Sequence, residues 1–185
     1  MTSRRFSLQE LLIVLGIILL VSAIAIPSYL SSRSQSMEAS AFQGLRAVHA
    51  SEEIHFRKEK TYGDLKELVA TAGLDPELAT GQRSGFDFRV ALDEKKLRWA
   101  GACVPTQWGV SGSRAFVVSQ EGRLYYAGKD PGGIEGLLAH PYFSSFNTAD
   151  LKGWSYLDGG SVGGGGGGEG GGGEGGGGAG GGGGE

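Results

Sequence analysis

The residues of this chain that could do chemistry are few, and their spacing assembles no catalytic or metal site. The three histidines are His49, His55 and His140. His49 and His55 stand six residues apart, which puts them on different faces of a helix, unlike the i, i+4 pair that binds zinc. We therefore expect these two to be exposed or to lie at an interface. We expect no enzyme activity, catalytic residue, cofactor or metal.

Other reactive groups give equally weak signals. Residues 109–113 read Gly-Val-Ser-Gly-Ser and lack the final glycine of a nucleophile elbow. The lone Cys103 excludes an intramolecular disulfide, and a free cysteine is usually a small buried apolar residue. The carboxylates are interpreted as solvated helix faces and turns, or as scattered groups without the spacing of a calcium loop. They include Glu52, Glu53, Asp93, Glu94, Asp130, Asp150 and Asp158.

A long apolar segment near the N-terminus is the most informative feature. No charged residue lies between Glu10 and Arg33, and 11–26 reads LLIVLGIILLVSAIAI. As a helix, the uncharged residues 11–32 span about 33 Å, roughly one hydrocarbon core. Arg4 and Arg5 precede the segment, which predicts a cytoplasmic N-terminus and a C-terminal domain outside the cytoplasm.

Glu10 is an ionisable group at the edge of this apolar span. Such a group is costly and rare in a membrane, which makes it a candidate functional residue. Alternatively, its side chain simply reaches the cytoplasmic headgroup region, as charged groups near helix ends often do. The residues alone leave both interpretations open.

The helical pattern continues beyond the apolar segment. Met37, Ala41, Leu45, Val48 and Glu52 recur at three- and four-residue steps, which is helical spacing. We predict one helix from about Phe6 to about Lys60, apolar all round in its first half and amphipathic in its second. Pro27 lies near the join and should kink the helix.

These N-terminal residues resemble a known motif. The run Arg5-Phe6-Ser7-Leu8-Gln9-Glu10-Leu11-Leu12-Ile13-Val14 is similar to the processing and assembly motif of type IV pilins and of type II secretion pseudopilins. The likeness continues over 23–30, AIAIPSYL. It is strong over residues 1–60 and extends beyond them only to the general plan of helix, loop and small antiparallel sheet.

The resemblance implies a maturation step and an assembly contact. Residues 1–5 would be a leader that a prepilin peptidase removes by cutting between Arg5 and Phe6, after which the same enzyme methylates the Phe6 amine. Glu10 would become the fifth residue of the mature chain and pair with the Phe6 ammonium of a neighbouring subunit. The family has glycine where this chain has Arg5, so a chain that is not processed in the usual way stays an alternative.

Residues 61–158 are predicted to form a small α+β domain. Asp64 with Glu67 forms a capping box for a short helix that Gly73 stops. Alternating apolar residues then predict a first strand with one wet face and a four-stranded antiparallel meander, one face of which is free to pack on the amphipathic half of the long helix. The predicted strand residues are Phe86–Leu92, Leu97–Cys103, Ala115–Val118 and Leu124–Tyr126.

The last part of the chain is less regular. Trp154, Tyr156 and Leu157 alternate and could add an edge strand, while aromatic residues 142–146 could cap the core. Of the 36 glycines, 21 lie between Gly159 and Gly184. A polyglycine segment buries no core, so we predict a disordered, solvent-facing tail over 159–185.

Charge excludes one class of function. Residues 1–158 carry 17 basic and 17 acidic residues, since three of the 20 acids lie in the tail, and this balance argues against nucleic acid as a primary partner.

The resemblance implies a homo-oligomeric helical pilus filament serving adhesion, twitching motility or DNA uptake. Its partners would be membrane lipid before assembly, the prepilin peptidase and the inner-membrane assembly machinery. The subunit would lie first in the inner membrane as a single-pass protein and then in the extracellular pilus. The alternatives are a type II secretion pseudopilin and an uncleaved, membrane-anchored binding module.

Overall fold

One helix dominates the computed structural model, which describes residues 7–157. Helix α1 runs over Leu8–Glu59, close to the predicted Phe6–Lys60. It ends where Lys60 adopts the left-handed conformation with φ 61°, and the Lys60 amide closes the last turn by donating to the Phe56 carbonyl. Arg5, Phe6 and the glycine-rich tail, for which we predicted cleavage, methylation and disorder, lie outside the described residues.

Two short helices follow α1 and lead into the sheet. Helix α2 covers Leu65–Ala72 and α3 covers Pro76–Ala79. The predicted cap is confirmed, because the Asp64 carboxylate accepts the backbone amides of Lys66 and Glu67, both at 2.8 Å. Gly73 ends α2 in the left-handed conformation, as predicted.

An antiparallel meander forms the body of the domain, and its strands pair in chain order. The four predicted strands are present, but the sheet has six, because a two-residue strand pairs on each edge. One of these edge strands pairs Tyr156 with Tyr125, in the region where the alternation of aromatic residues suggested an additional edge strand. The strands are β1 (Gln82–Arg83), β2 (Phe86–Leu92), β3 (Trp99–Pro105), β4 (Ala115–Ser119), β5 (Leu124–Ala127) and β6 (Ser155–Tyr156).

The second half of α1 packs on one face of this sheet, as predicted. Ala41, Leu45 and Val48 are buried against aromatic side chains of β2 and β3. Gly44 lies on the same helix face, where its missing side chain lets the Phe88 ring come close; a Cβ at Gly44 would lie 2.9 Å from that ring. The amphipathic half of α1 is therefore a structural part of the domain.

The wet face predicted for β2 is present, since Asp87 and Ala91 are half-exposed and Arg89 is exposed, but the central strands are covered on both faces. Every residue of β3 and β4 is buried, because the segment after β5 folds back over the second face. Small or branched apolar residues fill the alternate positions there, so both faces bury apolar area. The covering residues come from α4 (Gly133–Leu138), from α5 (Tyr142–Ser145), and from Leu151 and Trp154, which follow a 3₁₀ turn (Thr148–Asp150).

Replacing Gly44 with alanine tests how tightly α1 docks on the sheet. Alanine should favour the helix by about 1 kcal/mol. We expect the opposite, a loss of about 1–3 kcal/mol, because the new Cβ overpacks against Phe88. Denaturant unfolding of the full chain in detergent measures the difference. Gly128→Ala is the control, since nothing lies within 4 Å of its Cβ position; a Gly44→Ala variant more stable than the parent would contradict the tight contact.

Candidate assembly site

The first half of α1 lies bare in the isolated chain. Its large apolar side chains are at least half exposed, with Leu20 at 68% and Ile24 at 73%. By length and composition this helix can cross a membrane, with a mean hydropathy of 2.8 and nothing of the apolar window buried. An apolar surface of this size marks contact with a membrane or with another protein surface.

Glu10 lies in the first turn of α1 and already has a partner within its own chain. Its Oε2 accepts the Ser7 amide at 2.9 Å, while its own amide donates to Ser7 Oγ at 3.2 Å. This reciprocal pair is a capping box, and it places the carboxylate at the positive end of the helix dipole. The spacing Ser-x-x-Glu was visible in the sequence, but we had not interpreted it as a cap.

Pro27 lies inside α1, which runs through it from Leu8 to Glu59. Proline has no amide hydrogen, so the carbonyl of Ala23 loses its usual helical partner at this turn. The tyrosine and serines that follow are exposed up to the level at which the domain packs on the helix. The kink we predicted at Pro27 stays a prediction.

An ion pair between a buried glutamate and a partly exposed arginine fixes the N-terminal end of the docked half of α1. Glu38 is 5% exposed, and its Oε2 lies 2.6 Å from Nη2 of Arg114. The other oxygen, Oε1, accepts the backbone amide of Ser113 at 2.7 Å. Breaking such a pair leaves a buried charge without compensation. Glu38 therefore fixes where along the helix the loop before β4 sits.

Glu52 is buried near the C-terminal end of α1, so our interpretation of it as a solvated carboxylate was wrong. It is fully buried, on the same helix face as Leu45 and Val48. Its Oε2 accepts the Gly63 amide at 3.0 Å, while Oε1 has no hydrogen-bond partner among the described residues. Burial raises the pKa of Glu52 to about 8, and the nearby carboxylates of Glu67 and Asp64 add to the rise.

The junction between α1 and α2 contains further polar contacts around Glu52. His55, which we predicted to be exposed or at an interface, is instead buried within the domain, where its Nδ1 lies 2.5 Å from Thr71 Oγ1. The Lys96 ammonium contacts the Glu67 carboxylate at 2.7 Å and lowers the pKa of that group. These contacts join the helix end, α2 and the turn before β3.

The described part of the chain offers little for chemistry. Between residues 7 and 157, no three His, Cys, Asp or Glu side chains are grouped so that they could hold a metal ion. Asp130 and Asp150 bond within their own loops, to the Gly132 amide and to Ser145 Oγ. Cys103 is fully buried in the sheet, and burial raises the pKa of its thiol well above its usual value.

A long helix with a bare apolar half and a second half packed on an antiparallel meander is the α+β architecture of the pilins. The chain is 30% identical over 96 residues to the type IV major pilin protein PilA of Myxococcus xanthus strain DK1622. That match covers 52% of this chain and 41% of the relative, so the chain spans about two fifths of the protein it resembles. No family model and no solved structure matches significantly. Over about half of its length, the chain is thus similar to a type IV major pilin.

Glu52→Gln should stabilise the protein in a pH-dependent way. In the unfolded chain this carboxyl ionises near its usual 4.5, and in the folded chain only near 8. The parent should therefore lose stability as pH rises from 4.5 to 8, while the glutamine variant escapes that loss.

The variants should differ little at pH 4 and by up to about 5 kcal/mol at pH 8.5, because the pKa rises from 4.5 to about 8 and each unit of that rise corresponds to about 1.4 kcal/mol. Denaturant unfolding at several pH values measures this. Glu53→Gln, at the half-exposed neighbouring position, is the matched control. A difference between parent and Glu52→Gln that does not change with pH would refute the buried carboxyl.

Proposed function

We propose that this protein is a structural subunit of a type IV pilus filament, which assembles through the first half of α1. The observation that carries the proposal is the bare apolar half-helix with Glu10 at its start. The distant relationship to a major pilin supports it. Adhesion, twitching motility or DNA uptake would then be the roles of the assembled filament.

The exposed apolar half of α1 must be shielded from water both before such a subunit assembles and after it enters a filament. Before assembly, the lipid bilayer covers it, and its uncharged length of about 33 Å suits one hydrocarbon core. In a filament, the same surface packs against the α1 helices of other copies. The docked half carries the sheet, so the globular domain would face outward from a core of helices.

Glu10 would select the register of an incoming subunit. Removal of residues 1–5 would turn the Phe6 amide into an ammonium, and at about 4 Å two unit charges attract by about 4 kcal/mol at an effective dielectric near 20. Desolvation offsets part of that attraction, so the pair acts on register more than on stability.

The capping box is compatible with this role. It uses the amide of Ser7, which lies beyond the proposed cut and stays in the mature chain. A carboxylate has two oxygens and about four acceptor positions, so Glu10 can keep its cap and accept a neighbour's ammonium as well.

Glu10→Gln tests the pairing while keeping the size of the side chain. Glutamine can still cap the helix, so membrane insertion should persist. Assembly should fall at least tenfold, because the neutral amide cannot neutralise the Phe6 ammonium. Electron microscopy and quantification of sheared surface material measure assembly. Glu59→Gln, at the exposed end of α1, is the control, and normal filaments from Glu10→Gln would disprove the pairing.

Processing can be tested directly by intact mass and N-terminal sequencing of the sheared and membrane fractions. We expect the sheared material to begin at Phe6 and to carry one additional methyl group on its amine. That result would mean that the peptidase accepts Arg5 before the cut. A protein that begins at Met1 and occurs only in membranes would instead be an uncleaved, membrane-anchored module.

A further inference from the structure

An open groove with both polar and apolar lining lies where the bare half of α1 meets the globular domain. It encloses about 600 Å³ between one side of the helix and the turn that joins β1 to β2. One guanidinium and five hydroxyl groups line it, together with the apolar side chain of Met37. The lining residues are Tyr29, Ser32, Arg33, Ser36, Met37, Ser40 and Ser84.

The turn from the domain closes the upper end of the groove. Ser40 Oγ donates to Ser84 Oγ at 2.9 Å, which ties the turn to the helix. Ser84 adopts a positive φ of 49° and Gly85 one of 76°, as in a tight hairpin between β1 and β2. The Met37 sulfur lies beside Gly85, so the domain begins one helical turn above Arg33.

Arg33 lies at a defined height along α1. It is the first charged residue after the uncharged stretch 11–32, at the end of about 33 Å of apolar helix. With that stretch across a bilayer, Arg33 reaches the headgroup layer on the side of the globular domain, because the polar layers lie directly beyond the hydrocarbon core.

No acidic side chain among residues 7–157 lies within ion-pair distance of Arg33, whereas Arg83, Lys96, Arg98 and Arg114 each form an ion pair. Glu38, the acid next along the helix, is held by Arg114 instead. The Arg33 side chain is exposed and lines the groove, so its five N–H donors are accessible to a ligand there. An arginine fork next to hydroxyl donors is a group that binds phosphate oxygens.

We propose that this groove binds the phosphate of a phospholipid headgroup in the leaflet next to the globular domain, before the subunit enters a filament. Arg33 binds the phosphate oxygens, the hydroxyls of Ser32 and Ser36 donate to them, and Tyr29, one helical turn nearer the bilayer, contacts the glycerol and upper acyl carbons. The lipid thereby sets the height at which the domain rests on the membrane. This proposal requires only that α1 inserts in a membrane, so it stands or falls independently of filament formation.

A bilayer lipid suits the groove better than free phosphate does. At Tyr29 the groove borders the exposed apolar surface of the first half of α1, with which a free phosphate ion makes no favourable contact. A lipid adds acyl contacts to the charge interaction and is present at high local concentration once the helix is inserted. The phosphate is the shared chemistry, and the two sources separate in a binding experiment.

The experiment uses the full chain in a nonionic detergent, titrated with short-chain phosphatidylglycerol and followed by native mass spectrometry and ³¹P NMR. Parallel titrations use the matching diacylglycerol, which lacks the phosphate, and inorganic phosphate. The variants are Arg33→Gln, Arg33→Lys and, as the matched control, Arg57→Gln at an exposed arginine about 36 Å further along the same helix. Circular dichroism checks that each variant is folded.

We expect Arg33→Gln to weaken phosphatidylglycerol binding about tenfold and Arg33→Lys to weaken it less, since lysine keeps the charge but loses the planar fork. Arg57→Gln should bind like the parent. Equal binding by Arg33→Gln and the parent would overturn the site. Equal affinity for inorganic phosphate would show a free-anion site, and equal affinity for diacylglycerol would show an apolar contact, and either result would overturn the lipid headgroup as the ligand.

Discussion

The bare apolar surface on the first half of α1 is the constraint on which everything else in this protein depends. A single helix of 52 residues has to satisfy two surroundings, an apolar one over its first half and a folded domain over its second. Because the helix is continuous, the position of the domain along it is fixed in steps of 1.5 Å per residue. Any contact that the domain makes with a membrane or a neighbour follows from that position.

Buried polar groups fix the position of the domain on the helix. Apolar contacts alone allow a helix to slide or rotate, since they have no direction. Glu38 and Glu52 lie fourteen residues apart on the docked face, and each holds a backbone amide from a different part of the domain. Two directional contacts about 21 Å apart define both the height and the rotation of α1. Their desolvation reduces stability, and what they give in return is a single register.

Most of the fold could be predicted from the sequence, and the predictions that were wrong failed for physical reasons. Period and length identified α1, while the alternation of Phe86, Phe88 and Val90 identified β2. The covered second face of the sheet was missed because residues 128–157 have little periodicity, and their contacts with the sheet are long-range. Glu52 was taken as solvated because of its residue type, although it occupies the buried step of the same helical pattern as Val48. The Arg33 groove depends on a turn 51 residues away, which no local pattern indicates.

Because the only cysteine is buried, its rate of alkylation measures how often the domain opens. Cys103 lies on the sheet face beneath α1, fully covered, and its thiol is kept in the neutral, unreactive form. A thiol reagent therefore reaches it only when the helix lifts from the sheet, so the rate of alkylation reports how often that opening occurs. Cysteines introduced on the surface would react long before it, which makes the natural chain a nearly silent background for labelling in the living cell.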